Sequence, residues 1–181
     1  MDQSCYRKAT SKPQDNGRRD VKADLDAIDW KILKELQGDG RMTNVELARR
    51  VGISAPPCLR RVRALEEAGI IEGYRALIDE KALDFDVTAF AMVGLASQSE
   101  AGLRSFEAKV REWDIVRECY MLSGDIDFIL KCVAPDLRAF QAFIIEELTR
   151  APEVDSVRTS LVIRRLKNEP GVPVMDTRIT V

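Results

Sequence analysis

The sequence predicts an α+β chain in two parts, an N-terminal winged helix-turn-helix and a C-terminal ferredoxin-like βαββαβ domain. Three observations carry this. Residues 26–68 hold three helix starts, each followed by apolar side chains at helical spacing. A charged stretch at 79–86 interrupts that pattern. From residue 87 onward, apolar runs of strand type alternate with helical ones in the order β-α-β-β-α-β.

Residues 1–23 carry six basic and three acidic side chains and few apolar ones, so they read as a disordered basic arm. Such an arm is a tail without a role or a strand of charge that touches DNA phosphate. The DNA-binding domain is expected over 24–78. Its first helix starts at Asp26 as N-cap, carries Ile28, Ile32, Leu33 and Leu36 inward, and stops at Gly38 and Gly40. The second starts in capping-box form, Thr43 with Glu46 three residues on, has Val45, Leu47, Ala48 and Val51 as its apolar side, and closes at Gly52. The third starts at Ser54. Pro56 and Pro57 then fall at the second and third helical positions, where the missing N–H groups have no partner inside a helix, so they mark a first turn and not a break. Residues 70–78 read as two short strands about Glu72-Gly73, the outline of a wing.

The charged stretch 79–86 reads as the linker. The second domain is expected over 87–168, with 169–181 as a C-terminal tail. Residues 87–96 form a strand apolar on both faces, and 100–113 a helix with Leu103, Phe106, Val110 and Trp113 on one stripe. A hairpin follows from strands 115–122 and 126–133 about Ser123-Gly124-Asp125. A helix at 135–150 and a strand at 154–165 complete the set. Two helices on one face of a four-stranded sheet leave the other face bare, and the apolar character of 87–96 on both sides implies that a second subunit covers it.

Composition narrows the function. The 181 residues are 45% hydrophobic, enough for real cores. No apolar run reaches the ~18 residues of a membrane span, and the polar start lacks the apolar centre of a secretory signal, so a cytoplasmic protein is expected. Cysteines at 5, 58, 119 and 132 lack metal-ligand or disulfide-framework spacing, and histidine is absent. There is no phosphate-cradling glycine loop either. With no metal site, no cofactor and few groups for acid–base or nucleophilic work, an enzyme is not expected. Net charge is −2, yet residues 41–63 contain six arginines and one acid, Glu46. A local basic face of this kind points to nucleic acid more than a global pI does.

The turn Gly52-Ile53-Ser54 between the second and third helices has helix-turn-helix spacing, and in that motif the helix after the turn enters the major groove of double-stranded DNA, N-terminus first. A wheel at 100° per residue puts Leu59, Val62 and Leu65 inward and Arg60 and Ala64 outward, flanked by Arg61, Arg63 and Pro57. Arg60 is the candidate for a base edge, because guanidinium matches guanine O6 and N7 bidentately. Arg49, Arg50, Arg61 and Arg63 are candidates for phosphates. Ser54 lies at the same helix start, and Cys58 reads as a small residue at a tight helix–DNA surface rather than a redox switch.

Several stretches together resemble the Lrp/AsnC (leucine-responsive, or feast/famine) regulators. They are Leu25-Asp-x-x-Asp29, Leu36-Gln-x-Asp-Gly-Arg41, Glu46-Leu-Ala-x-x-Val-Gly-Ile-Ser54, Arg60-Arg-Val-x-x-Leu-Glu-Glu-x-Gly-Ile-Ile71, Gly73-Tyr-x-Ala76 and Cys119-Tyr-Met-Leu-Ser-Gly-Asp-Ile-Asp127. The resemblance covers roughly residues 24–168. It implies a sequence-specific transcriptional regulator of the nucleoid, with a RAM/ACT-like second domain that makes a homodimer and, in many members, a higher assembly such as an octamer. It also implies an amino acid or other small effector, held at Met121, Leu122, Ser123, Gly124, Asp125 and Asp127. Exposed N–H groups of a turn suit a carboxylate and an aspartate suits an ammonium group. The same residues also read as an ordinary hairpin turn with a solvated aspartate. An architectural DNA-compacting protein of low specificity remains the other DNA-binding reading. The 23-residue extension departs from the usual family pattern, and the Pro56-Pro57-Cys58 helix start resembles only a subset of the family.

Overall fold

The computed structural model describes residues 25–169 and 171–174; the expected basic arm and residues 175–181 lie outside them. The described residues divide into two compact units, residues 25–75 with 171–174, and residues 76–169.

The first unit is built on three helices, α1 (Ala27–Gly38), α2 (Asn44–Val51) and α3 (Ala55–Glu67). Each start follows from its cap. Asp26 accepts hydrogen bonds from the Ile28 and Asp29 N–H groups while Asp29 accepts from the Asp26 N–H, a reciprocal box. Thr43 Oγ1 accepts from the Glu46 N–H, and Gly52 ends α2 at φ 81°, a conformation that favours glycine. Ser54 is the N-cap of α3 and the two prolines sit in its first turn, as their missing N–H groups require.

Ile32, Leu47, Ala48, Val51, Cys58 and Leu65 are the buried core of this unit. Two apolar expectations fail here. Val45 and Leu59 are exposed. Nor do the strands expected at 70–78 form. Ile70 and Ile71 pack on the core instead, and the Tyr74 hydroxyl donates to Glu66 Oε1 at 2.9 Å, which ties the segment back to α3.

The second unit contains β1 (Val87–Leu95), α4 (Glu100–Glu112), β2 (Val116–Met121), β3 (Phe128–Ala134), α5 (Leu137–Ala142) and β4 (Val154–Leu161). Helix α5 runs on as a π-helical stretch at Phe143–Leu148. The strands pair antiparallel in the order β2-β3-β1-β4, as the βαββαβ connection demands. The charged stretch 79–86 belongs to this unit. It holds a short 3-10 turn at Lys81–Leu83, and Glu80 accepts hydrogen bonds from Thr88 Oγ1 and from the Arg165 guanidinium.

Alternation decides which face is buried. Ala89, Ala91 and Val93 of β1 and Phe128, Leu130, Cys132 and Ala134 of β3 point to one side, where Phe106 and Val110 of α4 and Phe140 and Phe143 close over them. Phe90, Met92, Ile129 and Val133 alternate to the other side, and they are only half-buried. Register aligns Tyr120, Ile129, Met92 and Arg158 in one cross-strand row and Glu118, Lys131, Phe90 and Ser160 in the next.

Candidate nucleic-acid interface and ligand hairpin

The side chains of α3 sort into an inward and an outward set. Cys58 and Leu65 are buried and Arg61 and Val62 half-buried, whereas Pro56, Leu59, Arg60, Arg63 and Ala64 are exposed. The helix is therefore rotated from the expected wheel, with Cys58 at the seam in place of Leu59. Cys58 is 0% exposed, so it is a core residue and does not reach a DNA surface. Burial also pushes its thiol pKa up, which opposes thiolate chemistry. We expect Cys58→Ser to lower stability by about 1–3 kcal/mol, the cost of a buried hydroxyl without a partner, with DNA affinity unchanged where the variant is folded. Urea denaturation together with a binding titration checks this; unchanged stability with weakened binding would restore a surface role.

The six arginines of the basic face are not equivalent. Among the described residues, the Arg60 and Arg63 guanidinium groups make no hydrogen bond or ion pair, and both point outward on α3. Arg49 lies 73% exposed on α2 with two contacts to Glu46, at 2.9 and 2.7 Å. Arg50 donates to Glu46 at 2.8 Å and to Glu35 at 3.1 Å. The hydrogen bond from Arg49 first, and that from Arg50 next, hold the Glu46 carboxyl down to about 2. An exposed pair such as Arg49–Glu46 is worth little in water, so Arg49 can exchange its carboxylate for a phosphate. Arg50, with two carboxylates, is held more firmly.

Arg61 differs from the others. Its Nη1 lies 2.8 Å from Asp26 Oδ2 and 2.8 Å from Asp29 Oδ1, so the guanidinium expected on a phosphate is bound to the capping box of α1. Ser54 is exposed, and among the described residues its hydroxyl caps nothing, which leaves it free at the tip of α3. Pro57 is half-buried. Asn44, which the sequence reading passed over, anchors this tip: its Nδ2 donates to the Ala55 carbonyl at 2.8 Å. A polar residue directly after an N-cap threonine was the available signal.

In the second unit, Met121, Leu122, Ser123, Gly124 and Asp125 are brought together at the exposed β2–β3 connection. Gly124 adopts φ 142°, which a side chain would oppose. Asp127 is half-buried and turned back: Oδ2 accepts from the Leu95 N–H at 2.7 Å and Oδ1 from Gln98 Nε2 at 2.8 Å. Its carboxylate fastens the hairpin to the end of β1. No hairpin residue lines the cleft of about 740 Å³ in this unit, which lies at the other end of β2 and β3, beside Ile115, Lys131, Val133 and Pro135. Two ion pairs, Lys131–Glu118 at 2.8 Å and Arg165–Glu80 at 2.9 Å, stand in that cleft, and Asp114 and Arg117 line it as well.

Among the described residues, no group of His, Cys, Asp and Glu is arranged to hold a metal, and no helix is long and apolar enough to cross a membrane.

Comparison with known proteins matches the units in turn. Residues 25–72 fit the family described as winged helix-turn-helix DNA-binding, and residues 88–172 the Lrp/AsnC ligand binding domain. The chain is 62% identical over 148 residues to the leucine-responsive regulatory protein of Rhizobium meliloti, covering 82% of this chain and 95% of that one. It is 42% identical over 144 residues to the Escherichia coli K12 protein of the same name, covering 80% and 88%. Among solved structures, a Neisseria meningitidis transcriptional regulator in complex with L-Met superposes with a TM-score of 0.79 at 37% identity, over 82% of this chain and 96% of that one. An AsnC family regulator from Agrobacterium tumefaciens superposes at 0.77 with 35% identity, over 82% and 97%. These relatives are regulators and not enzymes, and the chain belongs with them to the Lrp/AsnC family of DNA-binding transcriptional regulators.

Proposed function

We propose that this regulator reads its operator with the outward face of α3, works as a homodimer or a larger assembly of dimers such as an octamer, and responds to an amino acid bound at the β2–β3 hairpin. The observation that carries the DNA contact is the pair of exposed, unpaired guanidinium groups on one helix face. Arg60 takes a base edge, while Arg63 and Arg49 take phosphates, Arg50 at greater cost because two carboxylates hold it. Ser54 donates from the helix tip, and Ala64 leaves room for close approach. The protein acts in the cytoplasm, on the nucleoid.

Arg60→Ala is expected to cost about 1–3 kcal/mol at the specific site and to relax base preference there. Fluorescence titration on the specific duplex and on random DNA measures it. Equal losses on both duplexes would assign Arg60 to a phosphate instead.

The row of half-buried Ile129 and Met92 beside exposed Tyr120 supports the dimer, because no element described in this chain covers that face as α4 and α5 cover the other. The effector clause draws on the ligand-binding-domain match and on the relative solved with L-Met. The hairpin is open in a single chain, and a small ligand is normally enclosed over most of its surface, so a neighbouring subunit completes the site. Titrating DNA affinity and oligomer size against each of the twenty amino acids tests this clause. An effector that changes neither quantity has no preference between states and removes it.

A further inference from the structure

We infer that Arg61 is a positioning residue for DNA reading: through the capping-box carboxylates of α1 it sets the rotation at which α3 presents Arg60 and Arg63. The inference rests on the reading of α3 as the helix that contacts bases. Its starting point is the division of labour at the two aspartates. Asp26 spends Oδ1 on the Ile28 and Asp29 N–H groups and offers Oδ2 to Arg61. Asp29 spends Oδ2 on the Asp26 N–H and offers Oδ1 to Arg61. One guanidinium nitrogen thus bridges the two oxygens that the capping box leaves over.

Geometry makes this bridge a rotational stop. Arg61 follows Arg60 by one residue, about 100° around the helix, and stands within about 60° of Cys58 and Leu65 on the buried side. The core beneath α3 is thin there: Cys58 and Leu65 are its only fully buried side chains. Packing alone constrains rotation weakly over so few contacts, and a charge-assisted bond with fixed direction constrains it strongly. Asp29 is half-buried beside Arg61, and both line a shallow apolar recess with Leu25, Ala64, Leu65 and Ala68, so water competes less for this pair than for Arg49–Glu46. A phosphate taking Nη1 would displace it from both carboxylates and leave two negative charges unpaired.

The test compares Arg61→Ala, Arg61→Lys, Asp29→Asn, the double variant R61A/D29N and Arg60→Ala in the full chain. Each is titrated on a duplex enriched by the wild-type protein from a random-sequence pool and on random DNA, across a range of salt. If Arg61 positions α3, Arg61→Ala and Asp29→Asn each reduce specific affinity about three- to tenfold by lowering the population of the competent orientation. Random DNA is bound nearly as before, the salt slope is unchanged, and the double variant is no worse than either single one. Arg61→Lys recovers part of the loss. If Arg61 instead holds a phosphate, Arg61→Ala weakens both duplexes, flattens the salt slope by about one unit and leaves Asp29→Asn neutral or tighter, which overturns the inference. Additive losses in the double variant overturn it as well. Where Arg61→Ala does not fold, Asp29→Asn and Arg61→Lys carry the same comparison. A preference for the enriched duplex that survives Arg60→Ala counts against the base-reading assignment, and the Arg61 and Asp29 outcomes are judged independently of it.

Discussion

Phe106→Ala should destabilise the sheet unit by about 3–5 kcal/mol, the range for removing a large ring from a core that cannot collapse around the gap. The site explains why collapse is blocked. Phe106 is 0% exposed on α4, with ring centroids 4.9 Å from Phe128 on β3 and 6.0 Å, edge on, from Trp113. Trp113 in turn meets Phe143 at 5.3 Å. Four rings from different parts of the unit lean on one another, and the strand among them is fixed by ladder bonds on both sides. Filling the void would require the helices to approach a sheet whose position is already set. Aromatic pairing of this kind is worth about 0.5–1.5 kcal/mol beyond area, so Phe106→Leu recovers much of the volume but not the whole loss. Urea unfolding followed in the second unit checks the ordering wild type, Leu, Ala; a loss below about 1 kcal/mol for the alanine variant would show that the unit repacks freely.

The βαββαβ order was legible because strand-type apolar runs and helical stripes alternate from residue 87 onward, and the helix starts of the first unit because Asp26, Thr43 and Ser54 stand at their caps. Caps are local chemistry, and local chemistry is written in sequence. The rotation of α3 was not. Reading Leu59 as core and Cys58 as surface turns the wheel by about 50°, enough to move Arg61 from the buried edge to the exposed one. What fixes the true rotation is a contact 32 residues away, between Arg61 and Asp29, and no helical period encodes it. The strands expected within the wing did not form, for a related reason. Residues 70–78 carry strand-forming side chains, but Tyr74 finds Glu66, and strand pairing is absent there. At the hairpin the sequence located the turn correctly, yet Asp127 shows how a carboxylate suited to a ligand can be engaged by its own backbone.

Ile32→Ala should have a comparable effect on the first unit, about 2–5 kcal/mol, with a different functional result. Ile32 is 0% exposed and is the single fully buried side chain of α1, set among Leu47, Ala48, Val51, Cys58 and Leu65. A unit of about 50 described residues at 0.05–0.15 kcal/mol per residue has only about 3–8 kcal/mol in hand, so this one change brings it near its unfolding point. The two cores share no residue. The Ile32 variant is therefore expected to lose specific and random DNA binding together while the sheet unit keeps its transition and its oligomeric state. Phe106→Ala should strike the sheet unit first, and Arg60→Ala should reduce specific binding with neither transition moved. Calorimetry or hydrogen exchange, read beside DNA titration, separates the three patterns. If Ile32→Ala instead lowered both transitions equally, the chain would unfold as one cooperative body, and operator binding would then depend directly on the stability of the ligand-binding unit.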